Sequence, residues 1–169
     1  MNHIHPKHFR ILGIAPTARG VGFAVLEGQE TLVDWGVKTV KGDKNAQSLA
    51  KVEKLIAHYQ PEVLVLPDTS AKNSRRYPRI QKLSQQIVKV ATARNIRVVL
   101  LSAEKLRRVY FGNAHGTKHA LAEIIAKRFP DELGSFLPPK RKPWMSEHYQ
   151  MDIFDAVALV VALRIKKTI

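Results

Sequence analysis

Apolar residues fall in short unbroken runs over the first forty positions and then at helical spacing. Residues 9–15 (FRILGIA) form a run that ends at Pro16 and predict a buried strand. Residues 20–27 (GVGFAVLE) predict a second strand, in which Gly20 and Gly22 mark close backbone approach. Gly28-Gln29-Glu30 is a hairpin signal, and residues 31–38 (TLVDWGVK) predict a third strand. Asp43 or Asn45 can cap a helix to about residue 59, with Leu49, Val52, Leu55 and Ile56 on its inward face, before Pro61 stops it. Residues 62–66 (EVLVL) read as a fully buried strand of the parallel kind. A long helix over 75–94 carries the stripe Ile80, Leu83, Ile87, Val90 and Ala91, and residues 96–101 (IRVVLL) follow as another buried strand. Ser102 caps a short helix to about residue 110 and Thr117 caps another to about 129. Residues 133–145 read as irregular and proline-rich, and a final helix is predicted over 147–166.

The resulting order, βββαβαβααα, predicts an α/β fold: a five-stranded mixed sheet, three antiparallel strands and then parallel ones, with helices on both faces. At 169 residues the chain is long enough for one domain with a real core. Residues 10–169 read as that domain and residues 1–9, with His3, His5 and His8, as a flexible arm. No internal repeat is visible.

Composition changes the picture in two ways. Cysteine is absent, which excludes disulfides, cysteine–zinc sites and a cysteine nucleophile. Together with the lack of an apolar leader or bilayer-length run, this fits a cytoplasmic protein with no membrane role. The charge is also one-sided. Lys plus Arg number 28 against 14 acids, and residues 69–108 alone hold eleven basic residues against the single acid Glu104. A stretch of one sign points to a polyanionic partner.

Sites in open α/β sheets form beyond the carboxyl ends of the central strands, here Ile14-Ala15 and Leu66-Pro67-Asp68. Asp152 and Asp155 lie three apart on one face of the last helix. Asp155 precedes the apolar run AVALVVAL, where an unpaired carboxylate is costly. The bland reading makes both acids early-turn partners of the helix dipole.

These segments together resemble RuvC-type Holliday-junction resolvases of the RNase H-like (retroviral-integrase) superfamily. ILGIAPTARGVGFAVLE resembles their opening hairpin, PEVLVLPD their Pro-led strand and DIFDAVALVVAL their terminal helix, so the similarity runs from Arg10 to Leu163. KPWMSE resembles a small bacterial branch of the same group. The resemblance implies acids on the first strand, the fourth strand and the last helix that bind two divalent metals, Mg²⁺ or Mn²⁺. Two such ions roughly 4 Å apart clamp the attacking water and the leaving oxygen. It also implies a DNA or RNA partner and a homodimer like those of the resolvases, although no dimer helix is legible.

This sequence departs from that pattern twice. Ala15 stands at the first-strand acid and Pro67 at the fourth-strand acid; Asp155 matches, and Asp152 is acidic as in many resolvases. Asp68 lies one residue past the missing glutamate, on the opposite face of a strand. The expectation is therefore a nucleic-acid-binding protein with a degenerate, catalytically impaired metal site, retaining Asp152 and Asp155, with Mg²⁺ or Mn²⁺ as its cofactor if it is active and none otherwise. Pro67 is an odd choice for deliberate inactivation and favours natural loss. The rival is an active structure-selective endonuclease using Asp68, Asp152 and Asp155, with Glu147 as a further acid. An actin-like ATPase relative is a third reading, against which stand the missing Walker motif and the missing second half.

For the partner surface, Lys72, Arg75, Arg76, Arg79 and Lys82 cluster after the fourth strand and predict phosphate contacts with branched or duplex DNA, without base readout. Arg19 beside Gly20, Lys118 at a helix N-terminus, and the loop residues Lys140, Arg141, Lys142 and Trp144 extend the set. Trp144 can stack on an unpaired base, but a loop tryptophan more often anchors to the core. His119 reads as a surface histidine rather than a general acid or base.

Overall fold

A computed structural model describes residues 8–70 and 78–166 of the chain. Strands β1 (Arg10–Pro16), β2 (Gly20–Glu27) and β3 (Thr31–Thr39) form the antiparallel meander, with Gly13 opposite Ala24 and Ala15 opposite Gly22. β4 (Val63–Pro67) runs parallel to β1, and β5 (Arg97–Leu101) parallel to β4. The sheet order is β3-β2-β1-β4-β5, so β1 and β4 are interior.

Strand alternation splits the core into two layers. Leu12, Ile14, Phe23, Leu64 and Leu66 face helices α1 (Lys44–Tyr59) and α2 (Pro78–Ala93). Ile11, Ala15, Ala24, Val63 and Val65 face the other layer, built from α3 (Ala103–Phe111), α4 (Lys118–Arg128) and α6 (Met151–Lys166). Between α4 and α6 lie a short helix α5 (Pro130–Leu133) and a 3-10 turn, Gly134–Phe136. Helices thus cover both faces, as the hydrophobic pattern predicts.

The caps follow side-chain chemistry. Asp43, not Asn45, accepts the Ala46 amide at the start of α1. Ser102 and Thr117 accept the Lys105 and Ala120 amides at the starts of α3 and α4. Asn45 instead clasps Arg79, accepting from its guanidinium at 3.0 Å and donating to its carbonyl at 3.1 Å.

Two segments differ from expectation. Pro130 opens a new short helix in the stretch between the expected end of the fourth helix and the irregular segment, since proline suits a first helical turn. The last helix begins at Met151, four residues later than its polar lead-in suggests. Met151, Asp152 and Ile153 donate to the carbonyls three residues back, at His148, Tyr149 and Gln150, so a tight turn precedes it. Of the expected arm, residues 1–7 lie outside the described residues, while Phe9 packs partly buried against the core.

α6 is buried almost all round: Ile153 and Phe154, then Ala156 through Ala162, are inaccessible. Each large apolar side chain so buried contributes about 1.5–3 kcal/mol by transfer. No helix among the described residues is long and apolar enough to cross a membrane.

The tight seat of α6 depends on two strand glycines. A Cβ at Gly13 would lie 2.7 Å from the Ala156 carbonyl oxygen, and one at Gly22 only 2.2 Å from that of Asp152. Gly22→Ala is expected to cost about 1–3 kcal/mol in urea unfolding, whereas Gly134→Ala, with nothing within 4 Å, is expected to be near neutral. Equal stability of the two variants would contradict the close approach.

Candidate functional site

The same contact that seats α6 places its two aspartates. Asp152 sits in the first turn directly over Gly22 and is 2% exposed. A buried carboxylate needs a partner, and the β1–β2 turn supplies one. Arg19 donates through Nη2 to Oδ1 and Oδ2 at 3.5 and 3.4 Å. Burial pushes the Asp152 carboxyl above the ordinary range; the Arg19 guanidinium opposes this, Glu147 adds to it, and a Thr17 hydrogen bond opposes it.

Asp155 follows one turn later, at the edge of the buried run. Lys118, the first residue of α4, places its ammonium 3.5 Å from Asp155 Oδ2. The same Nζ donates to Glu147 at 3.2 and 3.3 Å. Carboxylate oxygens of Glu147, Asp152 and Asp155 all lie within 4.8 Å of one another. Three acids thus meet two cations, and the chain itself provides both.

Strand alternation points Ala15 and Pro67 to the same face as α6. Ala15 is 2% exposed and packs in the apolar layer. β1 and β4 therefore end on this face without a donor side chain. Asp68 stands apart from the three acids. It accepts from the Ser70 hydroxyl at 2.6 Å and the Ser70 amide at 2.9 Å, bonds that hold its carboxyl below the usual range.

The basic residues divide by role. Arg79 ties the β1–β2 turn to α1, donating to the Thr17 carbonyl at 3.2 Å as well as to Asn45. Lys82 is exposed on α2; Lys72, Arg75 and Arg76 lie outside the described residues. Lys140, Arg141 and Lys142 are exposed on the loop over 138–150.

Trp144 does not anchor that loop in the core. It is 78% exposed, with the Lys142 ammonium 5.4 Å from its ring centroid. The loop is pinned by His119 instead, whose Nδ1 meets Glu123 at 2.8 Å and whose Nε2 meets the Pro138 carbonyl at 3.0 Å. Between this loop and the start of α4 opens a cleft of about 900 Å³. Lys118, Lys140, Arg141, Trp144 and Tyr149 line it, and Glu147 joins it to the acid cluster. The sequence reading missed Tyr149 and His148, whose stacked rings lie 4.8 Å apart. The adjacent pair HY before the helix was the available signal.

Asp152 makes a pH-dependent contribution with a definite sign. A carboxyl whose pKa is raised by folding stabilises fully below its unfolded value, about 3.9, and loses that contribution as pH rises through the folded value. In thermal melts, Asp152→Asn is therefore expected to equal or exceed wild type near pH 7, with the gap closing as pH falls toward about 4. A variant clearly less stable than wild type at neutral pH would contradict the burial cost.

No protein-family model matches the chain, and no curated protein matches it. Solved structures do. RuvC of Thermus thermophilus superposes with a TM-score of 0.69 at 14% identity, covering 95% of this chain and 96% of that one. The same enzyme in complex with a Holliday junction substrate gives 0.69 at 13% identity, with the same coverage. The yeast mitochondrial Holliday junction resolvase Ydc2 gives 0.61 at 14% identity, covering 99% of this chain and 82% of that one. Sheet order, the position of α6 and these superpositions together establish that the chain has the RuvC-like form of the RNase H fold.

Proposed function

We propose that this chain binds branched or duplex DNA through its RuvC-like fold, and that an internal ion-pair network stands where the resolvases hold their metals. The observation that carries the proposal is Lys118, whose ammonium lies within 3.5 Å of both the Glu147 and Asp155 carboxylates. A divalent ion entering there must displace that ammonium. Ala15 and Pro67, at the ends of β1 and β4 on the same sheet face, offer it no side-chain oxygen. Losing carboxylate ligands removes Lewis-acid stabilisation worth several kcal/mol, and each 1.36 kcal/mol is tenfold in rate. The residues present therefore do not fit a two-metal centre.

Support for the ligand comes from three directions. The formal charge is +14. Exposed Lys82, Lys140, Arg141 and Lys142 offer contacts to a sugar-phosphate backbone. One structural neighbour was solved with a Holliday junction.

The rival reading is a metal-dependent endonuclease built on Asp68, Asp152 and Asp155. The close carboxylate trio favours it, and the separate placement of Asp68 on Ser70 does not.

Anisotropy titrations with a four-way junction and a duplex are expected to show log K falling linearly with log salt. Lys140→Ala and Arg141→Ala should each flatten the slope by about 0.9 if they meet one phosphate. A salt-independent signal would remove the proposal. With Mg²⁺ or Mn²⁺ present, no strand cleavage is expected; metal-dependent products that vanish in Asp155→Asn would establish the rival.

A further inference from the structure

We infer that the cleft beside α4 receives one unpaired nucleotide, with its base on Trp144 and its phosphate on Lys140 and Arg141. This rests on the nucleic-acid reading above and narrows it to a ligand class.

The cleft, about 900 Å³, falls within the roughly 300–1,000 Å³ of small-ligand sites. Its walls offer two exposed ring systems, Trp144 at 78% and Tyr149 at 51% exposure. An indole left in water beside a concave wall is a platform for a second flat group, and base–aromatic stacking tolerates any base. Tyr149 is held in place by its stack on His148, with rings inclined at 25°.

Charge orients the occupant. Glu147, which lines the cleft, belongs to the acid trio and repels phosphate. Lys118 and Arg19, which also line the cleft, are engaged by those acids. The exposed Lys140 and Arg141 remain for the anion. Phosphate therefore belongs on Lys140 and Arg141, away from Glu147, and the uncharged base on Trp144.

Paired bases hide their faces in the stack. Trp144 can reach a base only at a strand end, a gap or a branch point. The cleft would thus distinguish interrupted nucleic acid from continuous duplex, which phosphate contacts alone do not.

Anisotropy titrations can use labelled single-stranded DNA, single-stranded RNA, a closed hairpin duplex and the same duplex with a one-nucleotide gap. Trp144→Ala is expected to weaken single-strand and gapped binding about tenfold, while closed-duplex binding stays within about twofold. Trp144→Phe should restore most of the loss. A loss in either the DNA or the RNA arm supports the inference, and the arm affected identifies the sugar. Trp144 is exposed, so the variant should keep the wild-type circular dichroism spectrum. If wild type binds the duplex and Trp144→Ala weakens all ligands alike, or none, this inference falls alone. If wild type binds none of the four ligands, the broader reading falls with it.

Discussion

The close contact between the α6 backbone and strands β1 and β2 sets the geometry of everything else. Two residues without side chains, Gly13 and Gly22, lie beneath Ala156 and Asp152, and neither position has room for even a methyl group. That contact fixes where α6 starts over the sheet. It holds Asp152 in an almost dry position and leaves Asp155 at the margin. The apolar run that follows supplies the burial energy that keeps these carboxylates near the strand ends.

Once the acids are held there, electrostatics determines what surrounds them. A carboxylate as enclosed as Asp152 is tolerated with a cation nearby, and Arg19 reaches it from the β1–β2 turn. Lys118 performs the same service for Glu147 and Asp155 from the N-terminus of α4. In a two-metal enzyme, ions from solution and additional carboxylates would share this space. Here α4, the loop over 138–150 and α6 are tied together by side chains of the chain itself. Through Glu147, Lys118 and Arg19 the network also lines the aromatic cleft.

The sequence made the fold legible because its signals were local. Period and punctuation placed five strands; glycines in GVGF marked the close approach that Gly22 makes; and Asp43, Ser102 and Thr117 capped the helices their positions suggested. The site was only partly legible. Three-residue spacing brought Asp152 and Asp155 together, but no pattern could show that Lys118, thirty-four residues before Asp152, would lie among them. Arg79 read as a phosphate contact, yet its guanidinium meets Thr17 and Asn45, partners distant in sequence. The bland reading of Trp144, as a core anchor beside its candidacy for base stacking, gives way because His119 pins the loop and leaves the indole outside. Those outcomes depend on tertiary neighbours that composition and periodicity do not encode.

The central claim is that Lys118 and Arg19 already pair with the acids at the N-terminal end of α6. Calorimetric titration of Mn²⁺ into wild type and into Lys118→Met tests it most directly. The account predicts no binding heat for wild type at millimolar Mn²⁺ and a weak new site once the ammonium is removed. Tight Mn²⁺ binding by wild type, abolished by Asp155→Asn, would contradict it.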